Sequence, residues 1–363
     1  MLSVGPVFEL INGFRRSKVL FTAVSLGIFD VLAGSETGLP AKELLRSLDT
    51  RAHSSRSEEG LERLLKGCAS LKLLEPIVQT NRPILYRLTS MSRQYLTSQS
   101  PESMVGYIRH SNDVLYPLWS RLDASVLSGE ACWTESFGRQ NKDIFSSIYE
   151  GEGGVERFTQ AMDAVATVAA SHILQAVDLS WIRCMADLGG SSGALSAAFC
   201  ERIPHLKSVV IELPHVIPIG QRLLARSNVS ESIKARIHFS SGDFFASPEA
   251  LPRDIDGIPI NAYLLSRILH DWRDPLCLDL LRHLYTLLPS SIPSGVVICE
   301  MLLNDDGIGP VNANMQDLNM LAQTDGKERS LSEMRNLLEI AGFQRIEGYK
   351  TGSLLDVVVA YKT

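Results

Sequence analysis

Four short segments carry side chains whose types and spacing suit a nucleoside-bearing ligand. The first, Met185-Ala186-Asp187-Leu188-Gly189-Gly190-Ser191-Ser192-Gly193-Ala194-Leu195, runs from an apolar strand pattern into a helical one. Glycines at such a turn let a ligand approach the backbone, and the helix start offers free N–H groups. The dinucleotide fingerprint wants glycine at the first, third and sixth positions. Counted from Gly189 these are Gly189, Ser191 and Ala194, a weak match to a nicotinamide site. Nineteen residues after Gly193 stands Glu212, at the end of the next strand pattern. A carboxylate there presents two coplanar oxygens to ribose hydroxyls. A structural turn followed by a solvated carboxylate is the other reading of the pair. Gly242-Asp243-Phe244-Phe245 follows a third strand pattern, where an acid can meet an adenine amino group and a ring can cover its face. Leu265-Ser266-Arg267-Ile268-Leu269-His270-Asp271-Trp272 ends a fourth. All four turns fall on the carboxyl edge of one sheet, where ligands of such folds collect.

The elements that must position these residues change character near residue 180. From Trp181 onward, β-rich runs at Ile182–Leu188, Ser208–Glu212, Ala235–Phe239, Ala262–Leu265 and Gly295–Glu300 alternate with helical patterns. The helices are expected at Ala194–Arg202, Ile217–Ser227, Asp274–Leu288 and Leu331–Ala341. Such alternation predicts an α/β domain with a doubly wound, mostly parallel sheet over 181–363, closed by a strand pair at Phe343–Tyr349 and Leu354–Tyr361. Before it, Lys18–Leu32 and Leu61–Leu74 read as helices, Pro40–Leu44 as a helix start, and Ile84–Leu88 as part of a ribbon. That order predicts a mainly α, winged-helix-like domain over 1–110. A helical connector over 111–180 follows and contributes to the active site.

Composition narrows the function classes. Of 363 residues, 45% are hydrophobic and 21% charged, which excludes wholesale disorder. Lys and Arg number 35 against 41 Asp and Glu, a net charge of −6 that does not favour a nucleic-acid surface. The expected recognition helix of the winged-helix part sets Arg63, Lys66 and Lys72 against Glu59 and Glu62 among many apolar residues, so dimerisation is expected there rather than DNA binding. No apolar run approaches the ~18–20 residues of a membrane span. The first residues lack the basic-then-apolar order of a signal peptide. Six cysteines without a C-x-x-C pair suit reduced thiols, and the expectation is a cytoplasmic protein with neither nucleic-acid nor membrane partners.

In combination, D-L-G-G-x-x-G from Asp187, the strand-end Glu212, G-D-F-F from Gly242, R-x-L-H-D-W from Arg267, E-x-L-L from Glu300 and G-x-E-R from Gly326 resemble a known family. They are similar to the class I S-adenosylmethionine-dependent O-methyltransferases that act on small molecules as metal-independent homodimers. Val19–Ala23, Glu135–Gly138 and Leu318–Thr324 are similar to its hydroxyindole-methylating branch. The resemblance implies a Rossmann-like catalytic domain with S-adenosyl-L-methionine as cofactor, S-adenosyl-L-homocysteine as product and no metal. It implies cofactor contacts at Tyr149, Gly189, Glu212, Gly242, Asp243, Phe244 and Arg267, and His270 as general base flanked by Glu300 and Glu328. Asp271, Asn319 and Gln323 match substrate-contacting positions. Three departures stand out: Ser191 where many relatives have glycine, Glu212 for the commoner aspartate, and Ala166 where the hydroxyindole enzymes carry tryptophan.

The chemistry follows from the residue types. Methyl transfer from a sulfonium to oxygen is an in-line displacement, helped by positioning and by a base of near-neutral pKa that takes the proton of a phenol of pKa ~10. A carboxylate on one imidazole nitrogen fixes the tautomer so that the other faces the hydroxyl. His270-Asp271 followed by Asp274 reads as helix capping rather than metal ligation. Asn319 and Gln323, four apart, share one helix face, and two amides there suit an acceptor with a polar amide arm or else stitch the helix to its neighbours. The expected acceptor is a hydroxyindole such as N-acetylserotonin. The alternatives are another phenolic natural product, or a non-catalytic dimer of the same fold that only binds the cofactor.

Overall fold

The computed structural model describes residues 3–48, 54–138, 148–149 and 153–362. They fall into two compact units, one up to Val114 and one from Leu115. The first contains α1 (Gly5–Ser25), α2 (Ile28–Ala33), α3 (Ala41–Ser47), α4 (Ser55–Ser70), β1 (Leu74–Ile77), β2 (Leu85–Leu88), α5 (Ser90–Tyr95) and α6 (Val105–His110). The helix expected over Lys18–Leu32 is two helices, because Gly27 adopts a left-handed φ of 72° and turns the chain between them. The helix expected to reach Leu74 stops at Ser70. Lys72, at φ 59°, reverses the chain and frees Leu74 to pair with Leu88 in an antiparallel ribbon. Ile28, Phe29, Leu32, Leu44, Leu65 and Tyr86 form the core of this winged-helix-like unit. The N-terminal half of α1 leaves Val7, Phe8, Leu10, Ile11 and Phe14 more than half exposed.

The second unit begins with α7 (Tyr116–Trp119), α8 (Leu122–Ser128), α9 (Trp133–Phe137) and the long α10 (Gly154–Ala176). Strands β3 (Cys184–Leu188), β4 (Lys207–Glu212), β5 (Ile237–Ser241), β6 (Asp254–Ile255), β7 (Ile258–Pro259), β8 (Ala262–Ser266), β9 (Ser294–Glu300), β10 (Leu302–Leu303), β11 (Arg329–Ser330), β12 (Arg345–Tyr349) and β13 (Asp356–Lys362) follow. They are interleaved with α11 (Ala194–Arg202), α12 (Ile217–Arg226), α13 (Glu231–Lys234), α14 (Asp274–Leu287), α15 (Val311–Gln323) and α16 (Leu331–Ala341). The main sheet has the order β12-β13-β9-β8-β3-β4-β5. β9, β8, β3, β4 and β5 run parallel, and β13 runs antiparallel between β9 and β12. β3 and β9 are buried along their whole length, which explains their mostly apolar patterns.

This topology decides where a ligand can sit. The chain leaves β3 on one side for β4 and β5, then returns to its other side for β8 and β9. A crevice therefore opens at the carboxyl ends of β3 and its neighbours. Leu188, Glu212, Ser241, Ser266 and Glu300 end the parallel strands on that edge. β5 lies two residues later than the sequence pattern indicated, so Gly242 follows it directly. Among the described residues, no helix is long and apolar enough to cross a membrane.

Candidate active site

The glycine turn after β3 is held by its own carboxylates. Gly189 and Gly193 take left-handed φ values of 66° and 77°, and a Cβ on Gly189 would lie 2.6 Å from Ile268 Cδ1. A Cβ on Gly190 would collide with the carboxyl of Asp187, so the turn can only be this tight without a side chain there. Asp187 accepts a hydrogen bond from Ser196 Oγ at 2.6 Å, and burial pushes its carboxyl up to about 7. Ser191 is also left-handed, at φ 57°, a conformation glycine would hold with less strain. Its N–H donates to Glu212 Oε1 at 3.0 Å, while Leu213 N–H donates to Oε2 at 3.0 Å. Burial raises Glu212 to about 7 against these two donors.

The other expected nucleoside contacts gather beside this turn. Gly242 N–H donates to Glu212 O at 3.0 Å, and a Cβ on Gly189 would lie 3.7 Å from Phe244 Cζ. Asp243 Oδ1 accepts from the N–H groups of Phe245 and Ala246, so this oxygen caps its own turn. Tyr149 packs edge-on against His215, ring centres 5.4 Å apart, which places it beside the loop after β4. Ser192 Oγ donates to Asp163 of α10, a tie absent from the sequence reading.

His270 sits in a short 3-10 turn, Leu269–Asp271, immediately after β8. Its Nδ1 lies 2.7 Å from Glu328 Oε1, and its Nε2 lies 3.7 Å from Asp271 Oδ1. Glu300 does not touch the ring; its Oε1 accepts the backbone N–H of His270 at 3.1 Å. The expected pair of flanking carboxylates thus splits its work, Glu328 on the imidazole and Glu300 on the backbone beneath it. Burial pulls His270 below the ordinary histidine range and pushes Glu328 up to about 8. With the proton of this hydrogen bond on Nδ1, the imidazole donates to Glu328 and Nε2 keeps a free lone pair, the arrangement a base requires. Burial also raises Asp271 to about 6. Arg267 itself holds a left-handed φ of 58° at the strand end.

Asn319 and Gln323 lie on α15, both nearly buried. Asn319 Oδ1 accepts from Trp119 Nε1 at 3.0 Å, and the Gln323 backbone carbonyl accepts from Trp133 Nε1 at 2.8 Å. Among the described residues neither side chain bonds to His270. Their helix reaches the base through Asp317, whose Oδ1 accepts the Glu328 N–H at 2.9 Å. Ala166 lies partly buried on α10.

Several functional neighbours escaped the sequence reading. Arg329 is fully buried and donates to the carbonyls of Leu269 and Trp272, each at 2.9 Å, and to Asp274 Oδ1 at 2.7 and 2.9 Å. A Cβ on Gly326 would overlap the carbonyl oxygen of His270. The segment 326–329 therefore approaches the His270 turn, grips its backbone and supplies the imidazole's partner. The G-x-E-R spelling was a signal, but its contacts span 55–60 residues of sequence. Asp274 is engaged by Arg329, and among the described residues no group of three or more His, Cys, Asp or Glu side chains converges as a metal site requires.

A strand-end acid beside a glycine turn, with a buried histidine–carboxylate pair two strands away, suits group transfer from a nucleoside-bearing donor to a hydroxyl. Comparison with known proteins agrees. Residues 119–344 match the O-methyltransferase domain family, and residues 8–98 match the O-methyltransferase dimerisation domain. The acetylserotonin O-methyltransferase of Bos taurus is 36% identical over 98% of this chain and 96% of its own length. The crystal structure of human N-acetylserotonin methyltransferase in complex with SAM superposes with a TM-score of 0.88 at 34% identity, covering 98% of this chain and 96% of that one. The mitomycin 7-O-methyltransferase MmcR superposes with a TM-score of 0.77 at 25% identity, covering 99% and 97%. With its carboxyl-edge crevice, its histidine–glutamate pair and matches along nearly its whole length, the chain belongs to the O-methyltransferase family.

Proposed function

We propose that this protein methylates the hydroxyl of a small aromatic acceptor from S-adenosylmethionine, with a hydroxyindole such as N-acetylserotonin as acceptor. The single observation that carries the mechanism is the 2.7 Å bond between His270 Nδ1 and Glu328, which frees Nε2 to act as base. The acceptor reading is supported by the acetylserotonin-methylating relatives and by the two amides of α15. The crevice residues fit the cofactor: each Glu212 oxygen takes one backbone N–H and keeps a lone pair for a ribose hydroxyl, and Gly189 and Gly190 leave their turn bare of side chains. Tyr149, Gly189, Gly242, Asp243, Phe244 and Arg267 complete this holding set, Asp243 through the oxygen that its turn leaves free. The cofactor supplies a methyl group on a sulfonium. His270 Nε2 receives the acceptor's hydroxyl proton, and Glu328 stabilises the imidazolium that results. Glu300 fixes the backbone of the base, and Asp271 lies beside Nε2 to bind the acceptor.

In this reading residues 1–110 dimerise, 111–180 help enclose the site, 181–363 carry out catalysis in the cytoplasm, and no metal takes part. The exposed apolar face of α1 supports a self-associating chain. Light scattering at micromolar concentration gives about twice 40.0 kDa, and a mass near 40.0 kDa removes the dimer. Glu212→Ala weakens affinity for S-adenosylhomocysteine by about 1.5–3 kcal/mol, the worth of charge-assisted hydrogen bonds. Unchanged affinity by calorimetry in the folded variant removes Glu212 from the cofactor site. The function as a whole is tested by methyl transfer from labelled cofactor to hydroxyindoles, phenols and the matching amines. Labelled O-methyl hydroxyindole is the expected product, and label appearing only on amines overturns the reading.

A further inference from the structure

We propose that Trp119 is a specificity-determining residue: it fixes which end of the Asn319 amide meets the acceptor, and so selects acceptors whose side arm is a secondary amide. The inference rests on the hydroxyindole reading above and assigns a role to a residue outside the set already placed in the site. An indole N–H can only donate, so at 3.0 Å Trp119 Nε1 must face the amide oxygen of Asn319. Rotating that amide by half a turn would set its NH2 against another donor and leave both without an acceptor. Asn319 is 5% exposed, so this pairing holds the amide's orientation and leaves Nδ2 as the atom to donate.

The frame around it is rigid. Trp133 Nε1 donates to the Gln323 carbonyl at 2.8 Å, and Cys132 N–H donates to the Ala322 carbonyl at 3.1 Å, which anchors the last turn of α15. Gln323 Oε1 is buried with no partner among the described residues. One helix face thus offers a locked donor at Asn319 and, one turn later, an unpaired acceptor at Gln323. A secondary amide carries the matching pair, a carbonyl to take the Asn319 hydrogen and an N–H for the Gln323 oxygen. A bare ring leaves both protein groups unpaired, the situation that discriminates most strongly between similar ligands.

The test compares kcat/KM for N-acetylserotonin and for 5-hydroxyindole, which has no amide arm, in wild type and Trp119→Phe. Phenylalanine keeps an aromatic ring and removes the donor. The wild type prefers N-acetylserotonin. Trp119→Phe lowers that preference by roughly threefold to tenfold through KM for the amide substrate, the effect of one neutral hydrogen bond. An unchanged preference in a variant that still binds S-adenosylhomocysteine overturns the inference. If Trp119→Phe does not fold, Asn319→Asp decides, because it still accepts from Trp119 but has no NH2 to donate. Loss of the preference in that variant supports the inference, and its retention overturns it. A wild type that methylates both acceptors equally refutes the role of Trp119 and leaves the hydroxyindole reading standing. A wild type that methylates neither refutes that reading, and the inference with it.

Discussion

His270→Ala lowers kcat by about 10²–10⁴-fold while affinity for S-adenosylhomocysteine stays within a few-fold, because the side chain takes a proton and its hydrogen bond goes to Glu328 rather than to the residues proposed to hold the nucleoside. Beside Asp271, the imidazole has a buried carboxylate on Nδ1 and its second nitrogen, Nε2, turned to the acceptor side. Burial holds it below the ordinary histidine range, so the imidazole is neutral at pH 7, and with Nδ1 donating to Glu328 the lone pair lies on Nε2. The sign follows directly. Protonating Nε2 removes the base, so the wild-type rate falls as the pH drops below that range and is flat above it. In His270→Ala this acid limb disappears, and the residual rate rises with pH as the acceptor hydroxyl ionises by itself. Steady-state kinetics with calorimetry on the same preparation checks both parts. Near-wild-type turnover at pH 7.5 contradicts the assignment.

Arg329→Met destabilises the C-terminal unit by roughly 3–5 kcal/mol, the cost of leaving groups that were paired with a buried charge unsatisfied. The methionine fills much of the volume. The carbonyls of Leu269 and Trp272 then lose their charged donor and keep weaker partners such as Cys277 Sγ, and Asp274 loses both of its bonds from the guanidinium. These carbonyls bracket His270, so the turn that aims Nε2 loosens and kcat falls along with stability. Arg329→Lys keeps the charge without the planar fork and recovers only part of either loss. Urea unfolding and kcat measured on both variants check this. A Met variant with wild-type stability shows that the arginine does not hold the turn.

The parts of the molecule legible in its sequence share a physical origin. Buried parallel strands print themselves as apolar runs, so the sheet and its ligand-bearing edge could be read from Cys184 to Glu300, with β5 displaced by two residues. Gly189, Glu212, Asp243 and His270 could be placed because each ends a strand or closely follows one. Local reversals were less readable. Nothing in the apolar periodicity of Lys18–Leu32 marks Gly27 as left-handed, and Lys72 reverses the chain with a residue type that seldom does so. Contacts distant in sequence were not readable at all. Arg329 was visible as a letter after Glu328, but its grip on Leu269 and Trp272 exists only once α14 and β11 are folded together. The same holds for Asp317 beneath Glu328, Asp163 on Ser192, and Trp119 on Asn319. The division between Glu300 and Glu328 illustrates the limit. Both carboxylates were assigned to the base, yet which one meets the ring depends on the direction of the chain after β9 and before β11.

The most direct test of the central claim is the dependence of the methyl-transfer rate on acceptor acidity. Single-turnover transfer from labelled S-adenosylmethionine is measured at pH 7.5 for substituted hydroxyindoles whose hydroxyl pKa values span about two units around ~10. With Nε2 of His270 as base, the wild-type rate changes little across the series, because the enzyme removes the proton. In His270→Ala the rate follows the ionised fraction and rises steeply with acidity. Wild type and variant showing the same steep dependence, at similar rates, would contradict the account, since the acceptor would then be losing its proton without the histidine.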